Sequence, residues 1–167
     1  RGRVHAEIRK VGMACISCII TQGLIPSEYF MEIEASAPQD EGEDERVGKE
    51  MRLRDMTRAV LSCVDEHEAD MRVITARTLQ PLLQRYGSLI DGALLRQVEK
   101  ECVQAMNDNL NAVRLEAYRS MALYFDVQKS RISGHISEED VEAWKGVLSV
   151  LLIHLGDASP QIQVSCV

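Results

Sequence analysis

Apolar residues recur at three- and four-residue steps through most of the chain. The clearest run is Val141, Trp144, Val147, Leu148, Leu151, Leu152 and Leu155, the period of a helix with one buried face. Ser137 precedes it, and Glu138, Glu139 and Asp140 fill its first turn. A serine N-cap takes up orphan N–H groups, and acids suit the positive end of the helix dipole. Gly156 supplies the stop. Leu53, Met56, Val60 and Cys63 make a second stripe, and Leu94 or Leu95 with Val98, Cys102 and Met106 a third. Ile8, Val11, Cys15 and Ile19 mark a further helix near the start. No stretch alternates with the period of a strand. The pattern predicts an all-α chain, with helices over about 50–64, 70–86, 93–106, 111–126 and 137–155. Pro81, inside the second of these, must kink or interrupt it, because it cannot donate a hydrogen bond and its ring crowds the preceding turn.

The second helix of each pair carries a shared string. Met71-Arg72-Val73-Ile74-Thr75, Val113-Arg114-Leu115-Glu116-Ala117 and Ile162-Gln163-Val164-Ser165-Cys166 each run apolar, long polar donor, two variable residues, then a small residue. Ile8-Arg9-Lys10-Val11-Gly12 fits the same string. An aspartate stands upstream of three donors: Asp65 seven residues before Arg72, Asp108 six before Arg114 and Asp157 six before Gln163. The donors are spaced by 63, 42 and 49 residues. Two of those steps lie within or close to the ~40–47 residues of HEAT or armadillo units, and the first is lengthened by an acidic insert at about 31–49.

These strings resemble the HEAT-repeat family over the whole chain outside that insert. The resemblance implies an α-solenoid of stacked antiparallel helix pairs, forming one unit over residues 1–167 with parts of repeats expected at both ends. It also implies that Asp65, Arg72, Asp108, Arg114 and Asp157 form a ladder of charged hydrogen bonds between neighbouring turns. Gln163 departs from the family's arginine, which makes the last rung neutral and weaker. Arg9 has no preceding aspartate in the chain.

Charge narrows the choice of partner. The net charge is −7, with seven acids and no base in residues 32–45, so the remainder is balanced. Nucleic-acid backbones require clustered Lys and Arg, and no such cluster occurs. The segment Glu32–Glu45 lacks the apolar content to order itself and is expected to be a solvated loop, the sharper alternative being a docking segment for a basic partner. The longest apolar stretch, Val147 to Ile153 with Ser149 inside it, falls far short of the ~20 residues of a membrane span. No basic-then-apolar leader opens the chain, so no secretory signal is read here.

Candidate chemistry is thin. Cys15-Ile16-Ser17-Cys18 has the spacing of half a metal or redox site, but no second pair accompanies it. Its thiols share a helical face with Ile8, Val11 and Ile19, so core packing is the expectation, and the same holds for Cys63, Cys102 and Cys166 as reduced, buried thiols. The four histidines, at 5, 67, 135 and 154, show no ligand spacing. No phosphate loop, nucleophile elbow or distinct carboxylate pair is present. The expectation is therefore no enzyme and no cofactor.

Polar positions on the second helices, including Arg77, Gln80, Gln84 and Arg85 on one and Glu116 and Arg119 on the next, are expected to face outward as a mixed surface for a protein partner. A closer resemblance lies in Leu151-Leu152-Ile153-His154-Leu155-Gly156-Asp157 with Ile162-Gln163, and in Met71–Arg77. Both are similar to the HEAT-repeat dynein axonemal assembly factors. That implies a cytoplasmic scaffold whose partners are chaperones and dynein subunits, with no nucleic acid and no membrane. Another HEAT scaffold, of the transport-receptor or phosphatase-subunit kind, is the alternative. A metal or redox protein using Cys15 and Cys18 is the competing class.

Overall fold

The computed structural model describes residues 2–30, 53–131 and 138–165, and every described element is helical. Helix α1 spans Gly2–Gln22, α2 residues 53–61, α3 Ala69–Tyr86, α4 Gly92–Met106, α5 Asn111–Arg131, α6 Glu138–His154 and α7 Pro160–Ser165. A short helical stretch at 27–30 follows α1, and a 3-10 turn at Gly87–Leu89 joins α3 to α4. The expected insert at 31–49, the Ser137 cap and Cys166 lie outside the described residues.

Local signals explain the boundaries. Helix α1 ends where Gly23 adopts φ +64°, open to glycine without a Cβ penalty. Leu24 N–H then bonds Ile19 C=O at 3.1 Å and Gly23 N–H bonds Ile20 C=O at 3.1 Å, closing the helix end. Helix α4 starts at Asp91, whose Oδ1 accepts Leu94 N–H at 2.8 Å. Pro81 does not interrupt α3, which runs unbroken from Ala69 to Tyr86.

The helices pack neighbour to neighbour. Helix α3 lies between α1 and α5, and α5 continues onto α7, so these four form a layer in chain order. Helix α4 packs on α5 and touches α6, beside that layer. One contiguous apolar core runs between, from Met13 and Ile20 through Leu79, Leu82 and Tyr86 to Val113, Met121 and Ile162.

Two expected faces are corrected. On α1, Ile8 and Val11 are 63% and 62% exposed and Cys15 is exposed, while Met13 and Ile20 are buried and Ile16 packs against the core. Both 8-11-15-19 and 13-16-20 obey the helical period. Periodicity alone therefore cannot choose between them, and contact with α3 makes the choice. On α6, Val147 is buried and Val150 and Leu151 are half-buried, whereas Val141, Leu148 and Leu152, and Leu155 just past its end, are exposed. That helix is apolar on more of its circumference than its described neighbours cover.

Candidate functional site

The turns between helices are tied to one another by a repeated device. Arg9 on α1 pairs with Glu66 in the turn before α3, Nε to Oε1 at 3.1 Å. Arg72 on α3 pairs with Asp108 in the turn before α5, Nε to Oδ2 at 2.7 Å and Nη2 to Oδ1 at 3.3 Å. Arg114 on α5 pairs with Asp157 in the turn before α7, Nη2 to Oδ1 at 3.0 Å. Each donor thus reaches forward by one helix pair.

The same positions also bind backward. Arg72 donates to the Glu66 carbonyl at 2.8 Å, Arg114 to the Asp108 carbonyl at 2.9 Å and Gln163 to the Asp157 carbonyl at 2.6 Å. All three are six-residue steps. The two aspartates fix their own turns as well: Asp108 Oδ1 accepts Leu110 N–H, and Asp157 Oδ1 accepts Ser159 N–H, both at 2.8 Å. A short side chain that bonds the backbone two residues on is the usual way Asp sets a turn. The Ser159 N–H holds the Asp157 carboxyl below its ordinary value; desolvation opposes this, and Arg114 and His154 reinforce it.

Asp65 is a correction to the expected ladder. Its carboxylate accepts from Gln104 Nε2 at 2.5 Å on the exposed side, and Glu66 occupies the rung. The signal was present in the sequence. The six-residue step that Asp108 and Asp157 obey lands on Glu66 when counted back from Arg72, whereas Asp65 sits at seven.

Glu116 is a second correction. It does not face outward: its side chain is 8% exposed, between α3 and α5. Arg77 Nε and Nη2 donate to its Oε1 at 3.2 and 3.0 Å. Gln80 Nε2 and Arg119 Nη1 donate to its Oε2 at 2.7 and 3.2 Å. Burial pushes this carboxyl's pKa upward, but the hydrogen bonds from Gln80, Arg77 and Arg119 outweigh it and leave the group below its ordinary range. Below it, Ser120 Oγ donates to the Ala76 carbonyl at 3.0 Å, joining the same two helices. The outer parts of Arg77 and Arg119 remain exposed, at 65% and 54% of their side chains. Arg85 is exposed too and donates to the Thr21 carbonyl of α1 at 3.1 Å.

One buried acid escaped the sequence reading. Glu99 accepts a hydrogen bond from Tyr124 Oη at 2.5 Å, and Gln128 donates to that same hydroxyl at 2.8 Å.

The cysteines divide in two. Cys63 and Cys102 are buried, and burial pushes the Cys102 thiol up to about 12. Cys15 and Cys18 are exposed on α1, against the expectation of core packing. Among the described residues, no group of three or more His, Cys, Asp and Glu side chains is arranged to hold a metal ion. No described helix is long and apolar enough to cross a membrane. Compared with known protein families, with curated proteins and with solved structures, the chain matches none.

Proposed function

We propose that this chain is a stretch of HEAT-type solenoid serving as a protein-binding scaffold rather than as an enzyme. The observation that carries the reading is the repeated rung. The turns leading into α3, α5 and α7 each receive a donor from the preceding helix of that layer, and three donors bond back over the same six-residue step. Stacked helix pairs bury their apolar faces only against their neighbours, and a recurrent tether between turns sets the register of that stacking. The exposed parts of Arg77, Arg85 and Arg119 and the exposed Gln84 then give the α3–α5 layer a polar surface of the kind that meets another protein.

Within this reading, the likeness of Leu151–Asp157 and Met71–Arg77 to the dynein axonemal assembly factors supports a cytoplasmic role beside chaperones and immature dynein subunits. The test is affinity purification of the protein from ciliated cells. Chaperones and dynein subunits are expected from cytosol, with little of the protein in finished axonemes. Recovery with nuclear transport cargo or a phosphatase catalytic subunit would favour the other HEAT scaffolds. The exposure of Cys15 and Cys18 favours, as a second reading, a soft-metal site built on that pair. Stoichiometric zinc in the purified chain would support it, and its loss in a Cys15→Ser, Cys18→Ser variant would locate it.

A further inference from the structure

The cluster around Glu116 has more donors than its one carboxylate uses. Arg77 spends Nε and Nη2 on Glu116, and Arg119 spends Nη1. Among the described residues, Arg77 Nη1 and Arg119 Nε and Nη2 make no further hydrogen bond. Both guanidiniums are anchored at one edge to a buried acid and open to solvent at the other. A free surface arginine loses much side-chain freedom when it binds, whereas one already held by a buried partner loses less. The buried carboxylate therefore acts as a fixed post that aims two planar forks outward.

We propose that Arg77 and Arg119, positioned by Glu116, form a preorganised docking point for an acidic side chain of a partner protein. The inference rests on the scaffold reading above and adds the chemistry of what the scaffold holds. Two guanidiniums against one carboxylate leave one unit of positive charge at this point. One unit suits a single Asp or Glu, which a guanidinium binds through paired N–H···O bonds. A polyanion such as nucleic acid needs many such charges in a row, and the whole chain, at −7, repels it. Glu116 touches the two arginines and not the incoming acid, so its role is positioning.

The experiment uses the full chain, titrated by fluorescence anisotropy with a short Gly- and Ser-rich peptide carrying one central Glu and with its Gln-for-Glu counterpart. The acidic peptide should bind at least about tenfold tighter than the counterpart, the scale of a charged hydrogen-bonded contact. Arg119→Gln should cost about the same factor while the helical spectrum stays unchanged. Glu116→Gln gives the sharper result, because it raises local positive charge while weakening the post. Preorganisation predicts weaker binding; a surface working by charge alone would bind tighter and overturn the proposal. Should Glu116→Gln fail to fold, Arg119→Lys keeps the charge and removes the fork, and unchanged affinity in that variant would be equally fatal. Equal binding of the two peptides, or binding of neither, also sinks it. A protein that still co-purifies its partners in that case leaves the scaffold reading standing. Peptide binding without any co-purified protein would do the reverse.

Discussion

At the scale of single residues, the rungs differ in what surrounds them, and that decides their worth. The Arg72 and Asp108 side chains are only 15% and 12% exposed, so removing the arginine strips a shielded carboxylate of its charged donor and leaves it the Leu110 N–H. Arg72→Ala should cost about 1.5–3 kcal/mol in chemical denaturation. Arg9 is 54% exposed, and Arg9→Ala should cost no more than about 1 kcal/mol, as for other surface ion pairs. Equal effects from the two substitutions would mean that burial does not grade the rungs. Gly87 tests packing rather than charge. A Cβ built there would lie 2.4 Å from Val127 Cγ2, and a β-branched side chain has little room to turn aside. Gly87→Ala should therefore lower stability by about 1–3 kcal/mol, the usual cost of overpacking, read as a drop in melting temperature.

At the scale of elements, helices announced themselves but their faces did not. Asn111 begins α5 as the pattern expected, and α3 begins at Ala69, one residue from its expected start. The signals there are local: apolar spacing and a break in the pattern between helices. Which stripe of α1 is buried depends on α3, and no property of α1 alone separates Ile8 from Met13. Glu116 was legible in principle, since it sits on the same three- and four-residue course as the buried Val113, Ser120 and Tyr124. Its burial was missed because the three donors that make it tolerable come from Arg77, Gln80 and Arg119, two of them on another helix. The face of α1 has a direct chemical test. In the folded protein, iodoacetamide should alkylate Cys15 and Cys18 quickly and leave Cys63 and Cys102 untouched until denaturant is added, as mapped by peptide mass spectrometry. Protection of Cys15 and Cys18 would restore the stripe that the periodicity first suggested.

At the scale of the whole molecule, its carboxylates should set its acid limit. Asp91 is held below its ordinary 3.8 by the Leu94 N–H, with desolvation opposing and Arg54 assisting. Asp157 is lowered by Ser159 N–H and Arg114, and Glu116 lies below its ordinary 4.5 despite its burial. A group whose folded pKa is depressed contributes stability that is fully present above its unfolded pKa. That stability is lost as pH falls through the folded value. The melting temperature should therefore change little from these groups between about pH 7 and pH 5 and fall steeply below about pH 4. Asp157→Asn should start lower at neutral pH and fall less on acidification, because one of the groups responsible no longer titrates. A variant with an undiminished acid slope would show that Asp157 does not contribute to it.

The rungs share a side as well as a pattern, since all of them cross the turns that lead into α3, α5 and α7. Struts along one margin make a beam stiffer there than along the opposite margin. Their stiffness is also graded, because the Arg9–Glu66 strut stands in solvent where salt screens it, while the Arg72 and Arg114 struts are largely shielded. Added salt should therefore loosen the joint between α1 and α3 first and leave the joint between α5 and α7 fastened, so that the helices part in a set order.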